Sequence, residues 1–262
     1  MMRALHTAAS GMYAQQLYVD SVSNNLANVN TTAFKKARVE FQDLIYQAVQ
    51  TVGSVRNLGT VVPNDLRVGH GVKTVGIEKM HSQGSPTQTN NPMDLMIEGE
   101  GFFKIRKADD SIAYTRDGSF KRSPDGRIIN ADGYTLEPDI VIPDDALELI
   151  MAPDGLVEVR LPGDNNLQEI GQIEMVRFTN PTGLRAIGKN LFIETDSSGP
   201  PLNGQPSLEG YGEINQGYLE SSNVSVVEEM VKLIVAQRAY EISSKAIKTA
   251  EELLSLANNL KR

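Results

Sequence analysis

The 262-residue chain has no cysteine and no tryptophan, and aromatic residues make up only 6% of it. Without cysteine there are no disulfides, no thiolate nucleophiles and no cysteine metal sites. Histidine is nearly as scarce: His6, His70 and His81 are the only three, and no spacing among them suits a metal or a catalytic triad. Long apolar runs are also missing. No stretch approaches the roughly 18 residues that a membrane-spanning helix needs, so membrane insertion is not expected. Met1-Met2-Arg3 gives a positive start, but Thr7, Ser10, Gln15 and Gln16 interrupt any continuous apolar segment after it. No cleaved Sec-type signal is read there.

Enzyme signatures are equally thin. Gly183 to Asn190 fits G-x-x-x-x-G-K, but Asn190 stands where a phosphate loop needs Ser or Thr, and the residues that follow read as a strand, not a helix. A hairpin turn is the better reading. No G-x-S-x-G or S-x-x-K occurs, and no calcium-loop pattern surrounds the Asp-Gly pairs. Neither a cofactor nor a metal is called for. The formal net charge is −8, unevenly spread: residues 71–224 hold 13 Lys and Arg against 24 Asp and Glu, while both ends are near neutral. An acidic middle argues against nucleic acid or an anionic membrane as the main partner.

What the chain does have is two long striped ends. Leu5, Ala8, Met12, Gln15, Val19, Val22, Leu26 and Val29 recur in alternating steps of three and four, predicting a helix over residues 1–30 with a heptad seam. It runs into an Asn- and Thr-rich stop, Ser23 to Thr32, whose side chains compete for backbone hydrogen bonds and favour caps and turns. The second striped segment runs from Val226 to Leu260. Ser225 and Glu228 fit a capping box, and Glu228–Lys232 and Glu241–Lys245 fit i,i+4 ion pairs. Ala236, Ala239, Ser243, Ala246, Ala250, Leu253, Ala257 and Leu260 form a row in which small residues allow close helix approach. Met230, Leu233, Ile234, Ile242, Ile247 and Leu254 widen the stripe, so this helix needs more than one neighbour. Burying the seam roughly offsets the entropy of ordering the helix. The ends are therefore expected to be loose in the monomer and to order by packing among subunits.

Between the ends lies most of the Gly and Pro. Residues 34–50 read as amphipathic and partly extended, and 51–72 as a hairpin or long extended excursion. Residues 73–224 read as β-rich. Leu95 to Glu98 and Phe102 to Ile105 look like two short strands around a tight glycine turn. Asp117-Gly118, Asp125-Gly126, Asp132-Gly133 and Asp154-Gly155 look like hairpin tips, since Asp-Gly suits positive φ. Strands are also expected over 171–178 and 190–194, with a loop over 199–212. The fold class is thus α+β: N- and C-terminal helices (1–33 and 225–262) pairing as a coiled-coil-like core domain, an extended hairpin segment over 34–72, and a β-rich central domain over 73–224.

The stretch Ser23-Asn24-Asn25-Leu26-Ala27-Asn28-Val29-Asn30-Thr31-Thr32-Ala33-Phe34-Lys35 resembles the N-terminal signature of bacterial flagellar rod and hook proteins. Four further stretches are similar to the distal-rod branch of that family: Met1 to Leu5; His81 to Pro92 leading into Ile97 to Phe103; Tyr114 to Phe120; and Gln216 to Val224 running on through Gln237-Arg238-Ala239-Tyr240-Glu241-Ile242. The match spans essentially the whole chain. The resemblance implies a structural, non-catalytic subunit of the distal rod, with the terminal helices forming the inner core of a hollow helical tube that transmits torque to the hook. It implies that the segment 46–67 stiffens the tube. It implies partners: further copies of the chain in a helical homo-polymer, proximal rod proteins, hook and hook-junction proteins, the L- and P-ring proteins, and the type III export apparatus. It also implies a place in the basal body, crossing the periplasm. A proximal rod or hook subunit is the alternative within the family, and a β-rich binding module the alternative outside it.

The residues expected at the assembly interface are Leu5, Met12, Val19, Val22, Asn24, Asn25, Leu26, Asn28, Val29 and Phe34 from the N-terminal part. From the C-terminal part they are Met230, Leu233, Ala236, Ala239, Tyr240, Ala246, Ala250, Leu253, Ala257 and Leu260. The chain departs from the family at one position, having Ala33 where the family usually has Gly. If that position needs φ > 0, Ala costs about 1–2 kcal/mol.

Overall fold

The computed structural model describes residues 2–50, 66–163, 166–208 and 210–259. The chain is α+β, with a helix at each end and a β-rich region between them. It divides into two compact units. A helical unit takes residues 1–27, 37–78 and 225–262, and a β-rich unit takes 28–36 and 79–224.

In the helical unit, α1 (Met2–Ala27) and α2 (Val226–Asn259) pack against each other. They run antiparallel. Asn25, near the end of α1, hydrogen-bonds Glu229 in the first turn of α2 at 3.0 Å. Fourteen residues back along α1, the backbone at Gly11 comes so close to α2 that a Cβ there would lie 3.5 Å from Ser243 Oγ. Small side chains permit that approach: Ala14 on α1 and Ala236 and Ala250 on α2 are buried. The Glu229 amide closes the first helical bond of α2 onto the Ser225 carbonyl at 3.0 Å. Glu228 pairs with Lys232, as its i,i+4 spacing predicts, whereas Glu241 pairs with Arg238 one turn before it.

Among the described residues, two strand pairs complete this unit. Ala37–Asp43 pairs with Val72–Lys79, and Phe41 stacks edge-on against Tyr18 of α1. Tyr46–Gln50 pairs antiparallel with Leu66–Gly69. The strands thus flank residues 51–65, the centre of the expected extended segment, which lie outside the described residues.

The helix stops at Ala27, a few residues before the end of the periodic pattern. Here the Asn and Thr side chains turn the backbone, as their chemistry predicts: the Thr31 amide donates to the Asn28 carbonyl at 3.1 Å, and the Thr31 hydroxyl donates to Asn28 Oδ1 at 3.2 Å. Ala33 then takes a left-handed conformation, φ +54°, with its methyl buried and its amide bonded to the Glu220 carbonyl at 2.7 Å.

The β-rich unit is built on a mixed-length antiparallel sheet. Among the described residues it comprises nine strands, with Phe102–Arg106 at its centre paired to Ile112–Thr115, Thr135–Glu137 and Met175–Arg177. Leu95, Ile97, Phe103, Ile105, Phe120, Ile128 and Leu136 are fully buried on one side of it, joined by Val157 and Val159 from a three-stranded sheet and by Ile173 just after it. A second cluster gathers Phe102, Tyr114, Val176, Phe178, Leu184 and Phe192. The alternation of Phe102 and Phe103 between the two clusters is the period-2 signature of a strand buried on both faces.

Two turn expectations are corrected. Leu95–Glu98 and Phe102–Arg106 are strands, but they do not pair with each other. The first pairs with Glu213–Gln216 and the second lies in the large sheet, so Gly99-Glu100-Gly101 carries the chain from one sheet to another. Asp125-Gly126, Asp132-Gly133 and Asp154-Gly155 do form turns with positive φ at Gly. Asp117-Gly118 does not. Gly118 is required for close packing instead, because a Cβ there would lie 1.6 Å from the Leu95 carbonyl oxygen. The Gly183–Asn190 segment is a hairpin: Arg185–Gly188 pairs with Leu191–Ile193, and Lys189 and Asn190 both have positive φ, the pattern of a type I′ turn.

Candidate assembly surface and buried polar cluster

Asparagine 25 is buried and fully used. Its Oδ1 accepts the Ala37 amide at 2.8 Å, and its Nδ2 donates to the Ala37 carbonyl at 2.9 Å and to Glu229 Oε2 at 3.0 Å. One side chain therefore ties the end of α1, the strand that follows and the start of α2. A buried amide with all its bonds made penalises any slipped pairing of the helices, since a slip would leave those groups unpaired. Glu229 is itself buried; Lys232 Nζ reaches its other oxygen at 2.8 Å, and its place in the first helical turn suits the positive end of the helix dipole.

The two helices cover only part of each other's apolar surface. Val22, Ala236 and Ala250 are buried, and Leu5, Met12, Val19, Leu26, Leu233 and Ala239 are half-buried. Met230, Tyr240, Ala246, Leu253 and Ala257 are exposed, as is Asn24. Asn28, Val29 and Phe34 fall in the β-rich unit, where all three are half-buried and Lys79 sits over the Phe34 ring at 4.3 Å. Leu260 lies outside the described residues. Beyond the predicted set, Val227, Val231, Ile234, Val235, Ile242 and Leu256 of α2 are all exposed, Val227 by 74% and Ile242 by 67%. A recess of about 440 Å³ lies along the pair, lined by Gln16 and Val19 of α1 and Gln237, Tyr240 and Glu241 of α2. Large apolar side chains exposed along one helix mark a surface that meets another macromolecule.

A cluster of buried charges organises the β-rich unit. Glu220 is 1% exposed and receives Lys35 Nζ on one oxygen at 2.5 Å and Arg116 Nε on the other at 3.0 Å. The Gly84 amide adds a bond at 2.8 Å. Arg116 also donates to the carbonyls of Gly99 at 2.8 Å and Gly101 at 2.7 Å, and Lys35 to that of Ser82 at 2.8 Å. Burial alone would raise the Glu220 carboxyl; Arg116 and Lys35 outweigh it and hold the carboxyl below the usual carboxylate range. Asn223 makes a companion knot, accepting the Lys36 amide at 2.7 Å and donating to the Met80 carbonyl at 2.8 Å and the Ser82 carbonyl at 3.1 Å.

His81 stands beside these charges. Its ring is edge-on to Phe102 and Phe192, with centroids 5.6 and 5.3 Å away, and its two buried ring nitrogens have no hydrogen-bond partner. Burial, with Lys35, Arg116 and Lys79 nearby, pushes its pKa down to about 4. Sequence reasoning assigned no role to Lys35, Arg116, Glu220 or Asn223. Their signal was present only as charged and amide residues set inside otherwise apolar strand-like runs. Their pairing across up to 187 positions is not legible in the sequence. Among the described residues, no group of three His, Asp or Glu side chains could hold a metal ion, and no helix is long and apolar enough to cross a membrane.

Three family descriptions match the chain: "Flagella basal body rod protein" over residues 5–35, "Flagellar hook protein FlgE/F/G D1 domain" over 96–159, and "Flagellar basal body rod FlgEFG protein C-terminal" over 215–260. The flagellar basal-body rod protein FlgG of Borreliella burgdorferi is 50% identical, covering 100% of both chains. The chain belongs to the flagellar basal-body rod protein family. The protein of the same name in Caulobacter vibrioides is 46% identical over 99% of this chain and 100% of its own. The rod protein FlgF of Caulobacter vibrioides is 32% identical over 97% of this chain and 95% of its own. In this rod family the N-terminal match ends at Lys35, so it takes in α1, the turn at Ala33 and the first member of the buried cluster. The C-terminal match begins at Asn215, just before Glu220 and Asn223, and runs through α2. The family is structural rather than enzymatic.

Proposed function

We propose that the chain is a structural subunit of the flagellar distal rod, which assembles with copies of itself and with rod and hook neighbours in the basal body. The observation that carries this is full-length similarity to rod proteins named FlgG, at up to 50% identity, on a chain whose α2 leaves a row of large apolar side chains uncovered. Identity to the FlgF relative is lower, at 32%, which favours the FlgG-type rod over its sister subunits.

The finer reading follows from the helices. α1 and α2 act as a coiled-coil-like pair whose free faces pack against the pairs of neighbouring copies to build the inner wall of a hollow tube. Support comes from the alanines at their close approach and from the buried Asn25 that fixes their alignment. The Tyr46–Gln50 and Leu66–Gly69 ladder frames the segment 46–67, which serves as a brace of the tube. A head-to-tail contact that does not close on itself yields an open helical polymer, as a shaft requires. Such a shaft would cross the periplasm, turn inside the L- and P-rings and reach its place through the type III export apparatus.

Leu253 tests the assembly. It is half-exposed on α2, so Leu253→Asp removes little that the isolated chain buries. The variant is expected to unfold at the wild-type denaturant midpoint while failing to polymerise, read by sedimentation and electron microscopy. Normal polymers from this variant would sink the proposed wall.

A further inference from the structure

A recess of about 260 Å³ opens in the β-rich unit. Its lining includes Lys35, His81, Gln83, Glu100, Arg116 and Arg177. Three of these are cations, and donors remain free on each of the two buried ones. Lys35 has three N–H groups, of which Glu220 and the Ser82 carbonyl take two. Arg116 has five, of which Glu220 and the carbonyls of Gly99, Gly101 and Ile97 take four. At the mouth, Arg177 gives one bond to the Gly210 carbonyl and meets Glu100 only at 3.8 Å, beyond the range of a good bidentate pair. His81 adds two ring nitrogens with no hydrogen-bond partner, one of which carries a proton to donate in the neutral ring. Glu220, the carboxylate that balances Lys35 and Arg116, does not line the recess. Only Glu100 does, and its side chain is 78% exposed.

Spare charged donors around a small recess, with one loosely held carboxylate at its edge, suit an anion with a flat pair of oxygens. We propose that this recess binds a carboxylate, donated in the assembled polymer by an acidic side chain of a second copy of this chain. The identity of the donor rests on the self-assembly reading; the carboxylate chemistry does not. The chain can supply it: residues 71–224 carry 24 acidic side chains against 13 basic ones, and Asp125 and Asp154 stand exposed at the tips of turns. Glu100 competes for Arg177 from within the same chain, so its removal should favour the incoming group.

The experiment uses the full chain as monomer, labelled with ¹⁵N-histidine, which gives three imidazole signals. Sodium acetate replaces sodium chloride at constant ionic strength. A saturable shift of the His81 signal is expected, with His6 and His70 unmoved. Arg177→Gln should weaken acetate binding several-fold and Glu100→Gln should tighten it; unchanged amide spectra would show that both variants fold. Polymerisation of the same variants identifies the donor. A several-fold higher critical concentration for Arg177→Gln supports the neighbour's side chain. An unchanged one, with acetate still bound, overturns the second copy as donor and leaves a site for a free small carboxylate. No acetate-specific shift at His81, with wild-type polymerisation of both variants, overturns the proposal altogether. Leu253→Asp keeps the two readings apart, because it bears on assembly while acetate binding to its monomer should be intact.

Discussion

At the scale of single residues, Ala33 and His81 each hold an unfavourable state that their surroundings fix. Ala33 sits at φ +54°, where an L-residue with a Cβ costs about 1–2 kcal/mol, yet its buried methyl returns about 0.8 kcal/mol and its amide is bonded to Glu220. Ala33→Gly relieves the first term, loses the second and adds chain entropy to the unfolded state. Its stability by urea unfolding should therefore fall within about 1 kcal/mol of the parent. Ala33→Val places a β-branched side chain in the same backbone and the same full space, and should lose more than about 2 kcal/mol. A large gain in the glycine variant would mean that the strain is uncompensated. His81 stores its cost as a missing proton. With a folded pKa of about 4 against an ordinary 6.5, the unfolded chain takes up the proton first as pH falls. Stability is therefore complete above pH 6.5 and drains between 6.5 and 4, by at most about 3 kcal/mol. Lys35, Lys79 and Arg116 oppose protonation and Glu220 favours it. In His81→Phe that slope should flatten across the same window; an unchanged slope would assign the acid loss to the carboxylates.

At the scale of elements, the two faces of α2 answer differently to substitution. Ala236 is fully buried in a helix pair close enough for Gly11 to approach Ser243. Ala236→Leu adds volume where none is free and should cost about 1–3 kcal/mol in the monomer. Leu253→Asp should cost the monomer little and the polymer everything, so the two variants separate intrachain packing, read by denaturant unfolding, from assembly, read by sedimentation. Equal losses in both would mean that α2 has no free face. The contrast also shows which part of an element a sequence reveals. The 3.6-residue period gives both helices, because many residues vote for one answer. It does not say which flank of a broad apolar stripe meets α1: Ala246, Leu253 and Ala257 share a row with Ala236 and Ala250, yet only the latter two are buried. The strands behave alike. Leu95–Glu98 and Phe102–Arg106 are legible as strands from composition, but their partners are chosen by contacts more than 100 residues away for the first and by three neighbours for the second. The charge cluster was illegible for the same reason, since Lys35, Arg116 and Glu220 have meaning only once the sheet brings them together.

At the scale of the whole molecule, the question is what makes the proposed polymer stiff. The segment implied by family resemblance, 46–67, is framed by an antiparallel ladder in which Tyr46 faces Gly69 and Gln47 faces Val68. A two-stranded ribbon alone in water is marginal. This one also leaves Ile45, Tyr46 and Val68 exposed, by 82, 53 and 39%. Apolar residues on a ribbon that cannot hold itself would gain most by lying against another copy, which turns a local ladder into a brace between subunits. The brace would resist bending because sliding one copy past the next would uncover those side chains, at about 25 cal/mol per Å². Removing residues 51–65 and joining the two strands by a two-residue Asn-Gly turn keeps the ladder and shortens its reach. The shortened chain should keep wild-type stability as a monomer and still polymerise through the helices. Its polymers should have a persistence length, measured from electron micrographs, well below that of the parent. Straight polymers of undiminished persistence length would place the rigidity in the helical wall itself and remove the bracing role from this segment.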